Sequence, residues 1–281
     1  SFSVGYTHQD IKELSGMAST TANSSYGKYA ASDYNNRTPQ RSIYETEHRF
    51  FATASSTHYF LGADKPTTFN LYFERKSGLP GTYSWDTYTS RNYGGTAYQQ
   101  EAFGYEKNLN DDSSHLLYVP SGVSDPNVCW GSCAAPDLAI AAQVLDTLYN
   151  TLGLQGYAGQ IVPNGVYEYP WRTSLDLKIT QILPGFRAED EFVISLGIMN
   201  LLNLFDSDKG EAKYGPYNGK MAVLDMYMNS DFTKYIYPNY KGRGYPDYAY
   251  GYNGSNPKGI RKSAVNSIWR AQLGFTYKFS F

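Results

Sequence analysis

The last residues of the chain, SIWRAQLGFTYKFSF, alternate in character without a break. Trp269, Ala271, Leu273, Phe275, Tyr277, Phe279 and Phe281 share one parity; Arg270, Gln272, Gly274, Thr276, Lys278 and Ser280 share the other. A period of two predicts a β-strand with one apolar and one polar face. The same pattern recurs in SFSVGYTHQD (1–10), TTFNLYFERK (67–76), WRTSLDLKIT (171–180) and EFVISLGIMN (191–200). It recurs more weakly at 48–60, 220–228 and 234–240. Together these segments predict about eight strands.

The predicted connections alternate in length. Segments 61–66, 184–190 and 229–233 are short, whereas 11–45, 80–169, 204–219 and 241–266 are long. Tight turns at one end and long loops at the other is the layout of an outer-membrane barrel, whose strands face lipid on one side and a wet lumen on the other. A half-buried strand of a soluble sandwich shows the same alternation. The aromatic ends of the last strand, and its length beyond the 9–11 residues or so that a tilted transmembrane strand needs, favour the barrel. Inward positions are often Ser, Gly or Thr, which suits a wide bore better than a small, side-chain-filled one. The expected fold is therefore all-β: a transmembrane antiparallel β-barrel whose eight strands belong to a larger closed sheet. One helix is expected in the longest loop. Asp137 stands at an N-cap position, Gly153 is a stop, and Leu138, Ala141, Leu145, Leu148 and Leu152 fall on one face.

Composition narrows the functional classes. The chain has 281 residues with 24 Lys+Arg against 26 Asp+Glu, a balance that argues against a nucleic-acid partner. It is rich in tyrosine, with 28, and no run of apolar residues is long enough for a membrane-spanning helix. The chain opens at Ser1 without a signal peptide, as expected of a processed protein or the C-terminal portion of a longer one.

Candidate chemistry is sparse. Cys129 and Cys133 enclose a short loop and are expected to be disulfide-bonded in an oxidising compartment, with two free thiols as the alternative. The histidines at 8, 48, 58 and 115 are scattered, so neither metal nor cofactor is expected. Asp176 and Lys178 point inward on one strand with no His beside them; they suit a lumenal salt-bridge network rather than catalysis. Asp111-Asp112, Asp125-Pro126-Asn127 and Asp206-Ser207-Asp208 read as solvated turns, with calcium as the alternative. Tyr235, Tyr237 and Tyr240, with Tyr245, Tyr248, Tyr250 and Tyr252, crowd one strand and loop. The last four are the candidate ligand-binding residues; the alternative is an aromatic girdle with a self-packed loop.

YPWRTSLDLKITQIL, EFVISLGIMNLLNLFDSDKG and SIWRAQLGFTYKFSF, with LLYVPSGVSDPNV at 116–128, form a series that resembles the C-terminal strands of TonB-dependent outer-membrane receptors, in particular their Oar-like branch. The similarity covers most of 116–281. It implies that 1–281 is the C-terminal part of a barrel of about 22 strands around a plugged lumen. The plug and the TonB-binding segment would lie upstream, outside this chain. The implied function is TonB-dependent transport of a large ligand across the outer membrane of a Gram-negative bacterium, with a role in peptide or protein export as a further implication and no reaction catalysed. A passive channel, a surface adhesin and an outer-membrane hydrolase are the alternatives. The implied partners are TonB, the barrel-assembly machinery, outer-membrane lipid and an unidentified ligand. Trp269, Phe275, Tyr277, Phe279 and Phe281 resemble the terminal assembly signal of such barrels.

Overall fold

The computed structural model describes residues 1–14, 20, 21, 25, 30, 31, 36–87, 116–215, 219–229, 231, 233–237 and 260–279. The described residues divide into a large two-faced sheet and a separately packed module built from the long connections.

The large sheet has six strands: β1 (Phe2–His8), β2 (His48–His58), β3 (Thr67–Lys76), β4 (Arg172–Pro184), β5 (Glu191–Met199) and β6 (Arg270–Lys278). They lie side by side in chain order, and every neighbouring pair is antiparallel. The register aligns the alternation across the whole sheet. One row runs Leu273, Leu196, Ile179, Phe69, Ser56; the next runs Ala271, Ile198, Leu177, Leu71, Ala54, Phe2. On the other face the rows run Gly274, Ser195, Thr180, Thr68, Thr57 and Gln272, Gly197, Lys178, Asn70, Ser55. A slip of one residue in any pair would turn that strand's apolar set to the polar side. Close packing also helps to hold the register at β1: a Cβ on Gly5 would sit 2.2 Å from the ring of Phe51 on the neighbouring strand.

The connections 59–66 and 185–190 are tight turns at one end of the sheet. The connections 9–47, 77–171 and 200–269 all leave from the other end. The expected parity of short and long connections holds, with six strands in place of eight. Segments 220–228 and 235–237, expected as barrel strands, belong to a second sheet, and the 229–233 turn joins two strands of that sheet. The expected loops 204–219 and 241–266 are accordingly parts of a single connection.

The second sheet runs in the order 167–168, 80–87, 220–228, 235–237, 128–130. Strand 220–228 is parallel to 80–87, and 235–237 is parallel to 128–130. Parallel pairing needs cover on both faces, and that is the physical reason these strands lie outside the meander. A bulge between Ala222 and Leu224 breaks the period of two, and Met221, Val223, Leu224 and Met226 are all buried. Helix α1 (Leu138–Asp146) covers the sheet, capped by Asp137, whose Oδ1 accepts the Ala139 N–H at 2.8 Å. It continues as one wider turn, Thr147–Thr151, before Gly153 at φ 71°. Its buried side is Ala141, Val144, Leu148 and Leu152; Leu138, expected on that side, is exposed. These residues join Tyr83, Leu117, Val119, Trp130, Met221 and Tyr237 in one apolar core. None of the six strands of the large sheet contributes to it.

The module meets the large sheet through tight backbone links. Asn200, just after β5, adopts φ 55°, alone among the described non-glycine residues. Its N–H donates to Asp176 Oδ1 at 2.8 Å, and its Nδ2 donates to the carbonyls of Gly210 and Ser267, each at 2.9 Å. Gly210 is obligatory at this contact, because a Cβ there would lie 2.0 Å from Asn200 Oδ1. Asn203, in helix α2 (Leu201–Phe205), accepts the Trp269 N–H at 3.3 Å. The NLLNLF segment thus ties the exit of β5 to the entry of β6.

Candidate functional site: the polar face and the loop module

The polar face of the large sheet carries ordered charge at both ends. Toward the loop end, Arg49 pairs with Glu74 at 2.7 Å, Lys76 reaches Glu74 at 3.5 Å, and Tyr72 accepts from Arg49 at 3.2 Å. At the turn end Lys278 pairs with Glu191 at 3.1 Å. Between them lies a recess of about 460 Å³, lined in part by Thr53, Asn70, Tyr72, Asp176, Lys178 and Gln272. Asp176 and Lys178 both reach this recess but form no salt bridge with each other. Asp176 is engaged by the Asn200 backbone, and Lys178 makes no ion pair among the described residues. The salt-bridge network expected of Asp176 and Lys178 is not formed among the described residues; the ion pairs of this face lie at its two ends, on Arg49, Glu74, Lys76, Glu191 and Lys278.

The apolar face is bordered by aromatic rings at both ends. At the loop end Tyr6 packs on Phe50 at 4.7 Å, and Trp171 stacks on His48 and Phe50 at 6.0 and 6.3 Å. At the turn end Phe60 packs against His58 and Phe69, and Phe186 against Tyr277. Trp269, Phe275 and Phe279 are exposed on this side. Tyr277 donates to Asp190 at 2.5 Å and accepts the Phe186 N–H at 3.0 Å, tying β6 to the turn between β4 and β5. Phe281 lies outside the described residues. On the apolar face of β4, Thr173 lies toward the loop end, and the other polar side chain, Gln181, sits near the turns. There its Nε2 donates to the carbonyls of Lys65 and Pro66 at 3.2 and 3.3 Å, and its Oε1 accepts from the Thr67 hydroxyl.

The module is rigidified where the sequence suggested ligands. Asp125 is buried, and its carboxylate accepts from the N–H groups of Ser121 and Asn127 and from the hydroxyls of Tyr118 and Ser121. Burial alone would raise its pKa, but these donors more than offset that and hold the carboxyl below the usual range. A carboxylate so fully engaged is a fold element and not a calcium ligand. Asp206 similarly accepts the Asp208 N–H within its own turn, and Asp111 and Asp112 lie outside the described residues. Cys129 and Cys133 are joined by a disulfide with a Cα–Cα distance of 4.8 Å.

Of the tyrosine cluster, Tyr237 is buried against Trp130 at 5.4 Å, its hydroxyl donating to the Tyr118 carbonyl at 3.0 Å. Burial pushes its pKa well up. Tyr235 stacks on Tyr118 at 4.8 Å. These two rings belong to the core and not to a ligand surface. Tyr240, Tyr245, Tyr248, Tyr250 and Tyr252 lie outside the described residues.

One grouping escapes a reading along the chain. His8 and His48 are register partners on β1 and β2. With Glu47 they bring three potential ligand atoms within 4.8 Å of one another. Forty residues separate the histidines in sequence, and only the strand pairing unites them.

The chain matches no family model, no curated protein and no solved structure.

Proposed function

We propose that this chain is the C-terminal wall of an outer-membrane β-barrel, of the TonB-dependent transporter kind and its Oar-like branch. The observation that carries the reading is the six-stranded meander. Its apolar side chains form one continuous face, exposed on β1 and β6 and half-buried among their own neighbours on β4 and β5, its polar face is small and charged, and its short turns all lie at one end. In water such a face would be an unusually large apolar patch and would drive association. In a bilayer it is the lipid-facing wall. The aromatic borders suit this setting. Over β6 and its flanks, Trp269 to Phe279 spans about 33 Å along the strand, or about 23 Å of height at a 45° tilt, close to the apolar band of such barrels. Both outer edges of the sheet, β1 and β6, need further strands, because an open edge in lipid leaves backbone groups unpaired.

On this reading the turns 59–66 and 185–190 face the periplasm and the module faces outward. The module, with its own core and disulfide, forms a rigid outer vestibule over a wide bore, which suits capture of a large ligand such as a peptide or oligosaccharide. The wall catalyses no reaction. TonB would act through a segment upstream, and lipid and the barrel-assembly machinery are the other partners.

The test uses the whole protein in its native host. It should fractionate with the outer membrane and migrate faster on electrophoresis unheated than boiled. Uptake or release of its ligand should stop when TonB is deleted or the proton gradient is collapsed. Outer-membrane residence with transport indifferent to TonB would point to a passive channel. Recovery in a soluble fraction would overturn the reading.

A further inference from the structure

We propose that His8, His48 and Glu47 form a binding site for a zinc-like divalent cation at the loop end of the β1–β2 pair. Three observations converge. First, the two imidazoles and the Glu47 carboxylate place one donor atom each within 4.8 Å of the other two, and His48 Nε2 already lies 3.4 Å from Glu47 Oε1. Small rotations of these side chains, His8 exposed and Glu47 and His48 half-buried, would draw these atoms onto one ion.

Second, each ligand is held from behind. His8 Nδ1 lies 3.1 Å from the Glu47 carbonyl, which can only accept. Nδ1 therefore carries the proton and the Nε2 lone pair is left free. His48 Nδ1 lies 2.9 Å from the Tyr6 hydroxyl, which can accept its N–H and leave Nε2 free in the same way. Glu47 Oε2 is anchored by Arg41 at 2.7 Å, leaving Oε1 for the ion. The Arg41 charge is shared with Glu45 at 2.5 Å, which reduces its repulsion of a cation. Histidine ligands whose second nitrogen is bonded to a carbonyl or hydroxyl, beside an anchored carboxylate, are the usual support of a metal site.

Third, the donor set is selective. Two imidazoles and one carboxylate suit Zn²⁺, with a fourth position open to water or to a further ligand. The same set is poor for Ca²⁺ or Mg²⁺, which prefer oxygen. The site also has a mechanical sense. It closes the stem of the 9–47 connection, where Gln9 N–H donates to the Glu47 carbonyl at 2.9 Å and Ile11 N–H donates to Glu45 at 2.6 Å. A bound ion would clamp the two ends of that loop.

The experiment is calorimetric titration of the purified protein, carrying no polyhistidine tag and freed of metal with a chelator, with Zn²⁺ alone and in parallel with Ca²⁺. Zn²⁺ should bind at one site, and His8→Ala and His48→Ala should each abolish that event. Tyr6→Phe should weaken it about tenfold, as loss of a supporting hydrogen bond does. His58→Ala, at the far end of β2, should leave it unchanged. Because His8 is exposed and His48 is only half-buried, both variants should keep the wild-type circular dichroism. As a second readout, Zn²⁺ should protect His8 and His48, but not His58, from diethylpyrocarbonate. Equal Zn²⁺ binding by wild type and both alanine variants would overturn the proposal. So would Ca²⁺ binding as tightly as Zn²⁺, or modification of His8 and His48 indifferent to Zn²⁺. Neither result depends on whether the sheet lies in a membrane.

Discussion

The large sheet and the loop module solve opposite problems with the same residue types. The module hides its apolar side chains: Leu117, Val119, Val144, Leu148, Met221 and Tyr237 are almost wholly inaccessible. The sheet displays them: Phe2, Val4, Leu273 and Phe275 are 72, 66, 59 and 62% exposed. The module mixes parallel and antiparallel pairs under a helix, whereas the sheet is a plain meander with nothing packed over its apolar face among the described residues. The difference teaches that apolar content does not distinguish the two settings; what matters is whether apolar side chains converge on one another or share a single outward face. A module with its own core can keep its shape whatever the sheet faces, and the sheet depends on its surroundings.

Substitutions in each region should therefore break one and spare the other. The largest effect is expected from Tyr237→Ala. It removes a fully buried ring and should cost the module about 3–5 kcal/mol. Limited proteolysis should then cut within 116–168 or 220–237 while the sheet, including β4 and β5, stays resistant. Simultaneous loss of both regions at one denaturant concentration would show that they are one cooperative unit.

Next in size is Leu273→Arg on the apolar face. If the face meets lipid, this should cost about 2–4 kcal/mol in equilibrium unfolding from bilayers, and Gln272→Arg on the polar face much less. Equal tolerance would reverse the assignment of faces. Breaking the Cys129–Cys133 link by Cys129→Ser closes off a smaller contribution, about 2 kcal/mol for so short a loop. It should be visible in the module's urea midpoint and absent from the sheet's.

The smallest expected effect is Asp125→Asn, about 1 kcal/mol at neutral pH. Its sign with pH follows from linkage. The folded carboxyl lies below its unfolded value of about 3.9, so the stability it provides is present above that value and is lost as pH falls through the folded pKa. Urea midpoints of wild type and variant should converge as the pH is lowered from 5 toward 2. A gap that persists at low pH would assign the effect to packing.

The strands of the sheet were legible because a period of two survives wherever both faces are uniform, as along Trp269–Lys278. The same signal misplaced 220–228, since alternation does not say which strand is the partner. The bulge at 222–224 and the parallel mate at 80–87 are nonlocal facts. Helix α1 was legible through its Asp137 cap, but its buried side rotates to include Val144 because the sheet beneath sets the contact. Asp125 reads as a turn residue, and only its four donors reveal how strongly it is held. The His8–Glu47–His48 group had no local signal at all, because its spacing is created by the β1–β2 register.

The ladder also records a lean. Followed through Ile198, Leu177 and Leu71, Ala271 of β6 is level with Ala54 of β2. The middle of β6, Gly274, then lies on the turn side of that row, and the middle of β2, Thr53, on the loop side. About one residue of stagger accumulates per strand. At about 3.3 Å per residue and 4.8 Å between strands, this is an inclination of about 35°, the slope of strands wound around a cylinder. At that slope each strand takes up about 6 Å of circumference, so six strands alone would enclose a backbone ring only about 11 Å across. Arg49, Phe51, Tyr72 and Lys178, all on the polar face, could not point inward together in so narrow a tube. A wall of about 22 such strands would be about 40 Å across, wide enough to house a folded domain of about 100 residues.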